Sequence, residues 1–184
     1  MNNTTFLKIR IYITFIISIG IWGLLAWNYF HGGIPRHHIL AREDLPEISN
    51  AWGAIILPLL TWFVGFRVQK RENLESKFSK IPSNVLYGFA GGLAFGFAIA
   101  IVFALRYHGI PGYLLLVILV LALFYPVYKV ECLLGFVLGM TFTFGAILPT
   151  AVGSILAIIS FFIYKVIRSG LLYVVKYSGR LFKR

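Results

Sequence analysis

Residues 132–167 read C-L-L-G-F-V-L-G-M-T-F-T-F-G-A-I-L-P-T-A-V-G-S-I-L-A-I-I-S-F-F-I-Y-K-V-I. As one straight helix this stretch would run about 54 Å, against a bilayer hydrocarbon core of about 30 Å. A break is required, and Pro149 and Gly153 mark it. The reading therefore gives two spans, about 132–148 and 150–167. Gly135 and Gly139, four apart, give the first of them a small-residue face.

Working back toward the N-terminus, the same length criterion gives spans at about 113–128, 85–105, 51–68 and 11–30. In the span from Val85, Gly88, Gly92 and Gly96 recur every fourth position and form a stripe on which another helix backbone can pack closely. Pro58 lies inside the span from Ala51 and should kink it, freeing a carbonyl. Ser49 or Asn50 offers that helix an N-cap.

Composition agrees with a lipid solvent. The chain has 184 residues, 59% hydrophobic and 12% charged, with mean hydropathy +0.85. Soluble domains carry about a quarter charged residues. Helices satisfy their own backbone groups where water is absent, so the expected fold is an all-α integral membrane protein. Its architecture is a six-helix transmembrane bundle of three outward-opening hairpins, followed by a basic amphipathic tail over 169–184. Leu74, Phe78 and Ile81 in the connector before the third span suggest a second amphipathic interfacial helix on the same side.

The net charge of +11 would suit a nucleic-acid binder if it were clustered on one face. It falls instead at the ends of the apolar runs. With six spans, fourteen of the seventeen Lys and Arg residues lie on one side, leaving Arg36, Arg42 and Arg106 on the other. By the positive-inside rule both termini are cytoplasmic, facing anionic lipid, and no nucleic acid is needed. Small size and brief inner loops point to a bacterial inner (plasma) membrane.

On this topology the outer loop 31–50 gathers His31, His37, His38, Asp44 and Glu47, with His108 on a second outer turn. Imidazole and carboxylate are ligands for zinc or another divalent metal, and His31, His38, His108 and Asp44 are the set that one centre would take. The spacing matches no established metal motif, and surface ion pairs account for the same residues. The spans carry no ionisable residue near their middles, which argues against a proton- or ion-driven pump. Glu131, at an inner edge, is expected to pair with nearby Lys129.

Two functional expectations follow. The first is a non-enzymatic membrane protein, a small channel, facilitator or accessory subunit, with the outer loop as its recognition site. Its glycine faces (Gly88, Gly92, Gly96, Gly135, Gly139) would serve a homo-oligomer or a partner membrane subunit. The alternative is a metal-dependent hydrolase or transferase acting on a lipid or lipid-linked substrate at the outer leaflet.

Overall fold

The computed structural model describes residues 3–38, 47–72, 81–105, 110–171 and 173. Six α-helices account for most of these: α1 (Asn3–Phe30), α2 (Gly53–Glu72), α3 (Ser83–Ala104), α4 (Ile110–Leu121), α5 (Val130–Phe144) and α6 (Ile147–Phe162). A π-helical turn, Ile163–Ile167, continues α6. Among the described residues, the departure from an all-helical chain is one ladder of two three-residue strands, β1 (Arg36–His38) and β2 (Glu47–Ser49). Of the two proposed interfacial helices, residues 73–80 of the connector and residues 172 and 174–184 of the 169–184 tail lie outside the described residues, while 169–171 continue the helix of α6.

Four helical stretches are long and apolar enough to cross a membrane: Phe6–Phe30, Asn50–Arg71, Ser83–Ala104 and Ile147–Leu171. Only 17–28% of each apolar window is buried inside the chain, so most of its apolar surface points outward. A water-soluble monomer rarely exposes apolar patches beyond a few hundred Å².

The helices α1 and α2 form an antiparallel pair. Arg10 meets Gln69 at one end, with Nη1 donating to Oε1 at 3.3 Å, and Trp22 meets Ala54 toward the other. The second contact answers the proline. Pro58 has no N–H for the carbonyl of Ala54, four residues back, and the Trp22 indole N–H donates to that oxygen at 3.1 Å. Pro58 thus stays inside a continuous α2, with its freed carbonyl satisfied from the neighbouring helix.

Helices α3 and α5 run parallel along a seam of glycines. A Cβ built on Gly92 would fall on the backbone carbonyl of Cys132, and one on Gly135 would fall on that of Phe89. Higher up, a Cβ on Gly96 would lie 3.1 Å from the Cα of Gly139. The stripes foreseen on two spans are spent on each other within one chain. The α1–α2 pair packs against this seam through Ile21, Leu25 and Leu57, which share a core with Ile99, Phe136, Val137 and Met140.

Two boundaries differ from the sequence expectation. The break in 132–167 falls at Gly145, with φ +70°, where glycine is favoured because it has no Cβ to strain. Pro149 instead lies in the first turn of α6, where its missing N–H would be unpaired anyway. Gly153 makes room for α5: a Cβ there would sit 2.6 Å from Leu133 Cδ1. The other difference is α4, which ends at Leu121 rather than running to Tyr128, with turns over 122–129. The Pro126 ring would clash with the carbonyl of Ala122 in a helix, so the apolar run continues as turns. At 12 and 15 residues, α4 and α5 are about 18 and 22 Å long, shorter than the hydrocarbon core.

Candidate functional site

The bundle has two ends, and each gathers a different chemistry. At the end where α1 stops, the chain from His31 folds back into the β1–β2 ladder. Its register is antiparallel, with Arg36 opposite Ser49, His37 opposite Ile48 and His38 opposite Glu47. Ser49 accepts a hydrogen bond from the N–H of Ala51 at 3.2 Å, capping the 3₁₀ turn Asn50–Trp52 that leads into α2. Asn50 also packs against Gly145, which fixes the α5–α6 turn beside the ladder.

His31 lies flat on Trp27, ring centroids 3.9 Å apart, and its Nδ1–H donates to the Trp27 carbonyl at 2.9 Å. Arg36 and Glu47 approach to 3.9 Å across the ladder, both largely exposed, a pairing worth about 0–1 kcal/mol. Among the described residues no three His, Cys, Asp or Glu side chains come together as a metal site. Asp44 and His108 lie outside the described residues. What the structure assembles from the described part of the loop is a short ladder whose backbone sets His38 opposite Glu47 and Arg36 opposite Ser49.

The opposite end is organised by an ion pair that local spacing did not reveal. Glu131, in the first turn of α5, is 1% exposed. Arg71, in the last turn of α2, donates to both its oxygens, Nη2 to Oε1 at 2.8 Å and Nη1 to Oε2 at 3.0 Å. This replaces the expected pairing with Lys129, which is the N-cap residue of α5. The helix N-terminus favours the carboxylate there, and Gly88 leaves the space it occupies, since a Cβ on Gly88 would come within 3.0 Å of Glu131 Cγ. The bidentate fork joins α2 to the α3–α5 seam across sixty residues of chain. Arg10 adds a second basic anchor here, its guanidinium 3.8 Å from the centroid of Trp62.

Between α3, α4, α5 and α6 lies a cavity of about 530 Å³, its wall made by residues such as Phe95, Ile118, Leu133, Phe136 and Leu156. Tyr87, Phe124 and Tyr125 stand at its rim, all exposed. Cys132 and Ser160 are among the few polar side chains in the wall. A smaller cavity of about 230 Å³ lies between α1, α2, α3 and α5, with Thr61 and Glu131 on its lining.

No family model, no curated protein and no solved structure matches this chain.

The geometry alone therefore separates the possibilities. The larger cavity suits an apolar occupant rather than water or an ion, by volume and by wall chemistry. In the Arg71–Glu131 pair the carboxylate is buried and the arginine reaches the surface, so the pair braces α2 against α5 from the edge of the bundle. Neither the cavity nor this pair was legible beforehand: a cavity depends on how four helices meet, and the pair on residues far apart in sequence.

Proposed function

We propose that this chain is a six-span integral membrane protein of the bacterial inner membrane, with both termini cytoplasmic. Its role is that of a non-enzymatic accessory subunit whose outward ladder recognises a partner membrane subunit. The observation that carries this reading is the division of the bundle. Glycine backbones fill the α3–α5 seam, while exposed Arg36 and Glu47 form the ladder at the far end. A channel or facilitator would need a polar path, whereas the larger cavity is walled by apolar side chains. The short α4 and α5 cross in this reading with the 122–129 turns between them lying toward the cytoplasmic face and the Gly145 turn toward the outer one.

Two positions test side and role together. In a Cys132→Ser background, Arg36→Cys is expected to react with a membrane-impermeant maleimide on intact cells, and Ser169→Cys only after permeabilisation. A photo-cross-linking residue at 36 is expected to give one discrete adduct with a membrane protein, and at 169 to give a different pattern or none. Labelling of Ser169→Cys from outside would overturn the orientation. Adducts no different between the two positions would remove the recognition role.

A further inference from the structure

The larger cavity and the residues around its rim form a built site, and we infer that it holds one acyl chain of an anionic phospholipid from the cytoplasmic leaflet. The inference rests on the membrane orientation proposed above and is independent of the accessory role.

Volume and wall chemistry set the apolar half of the ligand. About 530 Å³ lies within the range of pockets that take a lipid-sized or drug-sized molecule. The cavity is not closed by a fifth helix: Gly91 lies on its lining, is exposed, and has nothing within 4 Å of the place where a Cβ would stand. In a bilayer the apolar molecule present at that opening is a lipid tail.

Charge sets the other half. Val127 and Cys132 line the cavity, and Lys129, between them, occupies the N-cap position of α5. Ser160 lines it from α6, and beyond Ser160 the chain passes into the π-helical turn. There Tyr164 packs against Tyr128, ring centroids 5.7 Å apart. The Arg168 guanidinium lies 4.5 Å from the Tyr164 ring centroid. Lys129, whose carbonyl accepts from the N–H of cavity-lining Cys132 at 2.9 Å, and Arg168, about two turns beyond Ser160, give a basic edge to the chain segments that leave this end of the cavity, which in the proposed orientation faces the cytoplasmic leaflet. A phosphate with a net negative charge is the group that such an edge attracts. A zwitterionic headgroup gains less from it. Ser160, in the wall one turn before Tyr164, supplies a hydroxyl donor near where the ester carbonyls of such a lipid would lie.

The test uses the full chain purified in mild detergent, with phosphatidylglycerol and phosphatidylcholine as probes and bound lipid counted by native mass spectrometry. The protein is expected to retain about one phosphatidylglycerol per chain and to exchange phosphatidylcholine readily. Gly91→Phe fills the cavity from an open position and should reduce retention at least tenfold. Gly23→Phe, at an equally open glycine away from the cavity, should leave it unchanged. Lys129→Gln and Arg168→Gln are each expected to weaken phosphatidylglycerol about fivefold, the effect of one cation at a lipid surface, with little effect on phosphatidylcholine. Equal retention by wild type and Gly91→Phe would overturn the site. Equal retention of the two lipids by wild type would overturn its anionic selectivity. Cysteine labelling that placed residue 169 outside would count against the leaflet assigned, and binding by a chain without a partner adduct would leave this site standing while the accessory role fell.

Discussion

Gly92→Ala is expected to cost about 3 kcal/mol, and Gly92→Leu to prevent recovery of a monodisperse folded chain. Overfilling a packed core costs about 1–3 kcal/mol when side chains absorb the strain. At Gly92 the obstacle is the carbonyl of Cys132, and at Gly135 it is the carbonyl of Phe89 with the N–H nitrogen of Leu93 2.7 Å away. Neither can turn aside as a side chain would, so α3 and α5 must separate along the seam. Their separation would also loosen Gly96 from Gly139 and withdraw Phe136 and Val137 from the core that the α1–α2 pair shares. The comparison is Gly91→Ala, one residue away and facing open space, which is expected to be neutral or stabilising because alanine is the better helix former. Thermal unfolding in detergent, followed by fluorescence-detected size exclusion, separates the two. A Gly92→Ala protein melting with the wild type would show that the helices do not approach as closely as described.

How much of this was legible in the sequence depends on whether each feature is local. Small residues every fourth position mark a close-packing face in any helix, so Gly88, Gly92, Gly96, Gly135 and Gly139 could be named in advance. That the two faces meet each other is a property of the assembled chain. Pro58 announced a freed carbonyl, but the identity of its donor, Trp22, required the α1–α2 pairing. The break in 132–167 was forced by length, while its position was not. Proline disrupts a helix interior but is harmless in a first turn, so Pro149 drew attention from Gly145. For α4, apolar composition alone could not distinguish a helix from the turns that Pro126 imposes. The outer loop showed its ligand types in sequence, but the ladder that pairs 36–38 with 47–49 had too few residues for an alternating pattern to stand out. Its proposed metal set includes Asp44 and His108, which lie outside the described residues.

Arg71→Ala is expected to destabilise the chain by about 3–5 kcal/mol, and Glu131→Gln by about 1–2 kcal/mol. The asymmetry follows from unequal exposure. The Arg71 side chain is 34% exposed and that of Glu131 only 2%. Removing the arginine strands a carboxylate among Gly88, Cys132 and the walls of the smaller cavity, with its main counter-charge gone. Removing the carboxylate's charge leaves an arginine that still reaches solvent and headgroups, and glutamine keeps the shape with an oxygen to accept one of the two N–H groups. Replacing both partners, as in Arg71→Met with Glu131→Met, is expected to recover most of the loss, because a buried ion pair gains little over well-packed apolar groups of similar size. Arg67→Ala, at an exposed position on the same helix, should stay within about 0.5 kcal/mol of wild type. Unfolding midpoints of these variants in one detergent make the comparison. Equal losses for the two single variants would mean that the carboxylate reaches water or another cation. Losses below about 0.5 kcal/mol for both would mean that α2 is held to α5 by the contacts of Val64 and Val68 with Leu134, with the fork between Arg71 and Glu131 following from that packing instead of fixing it.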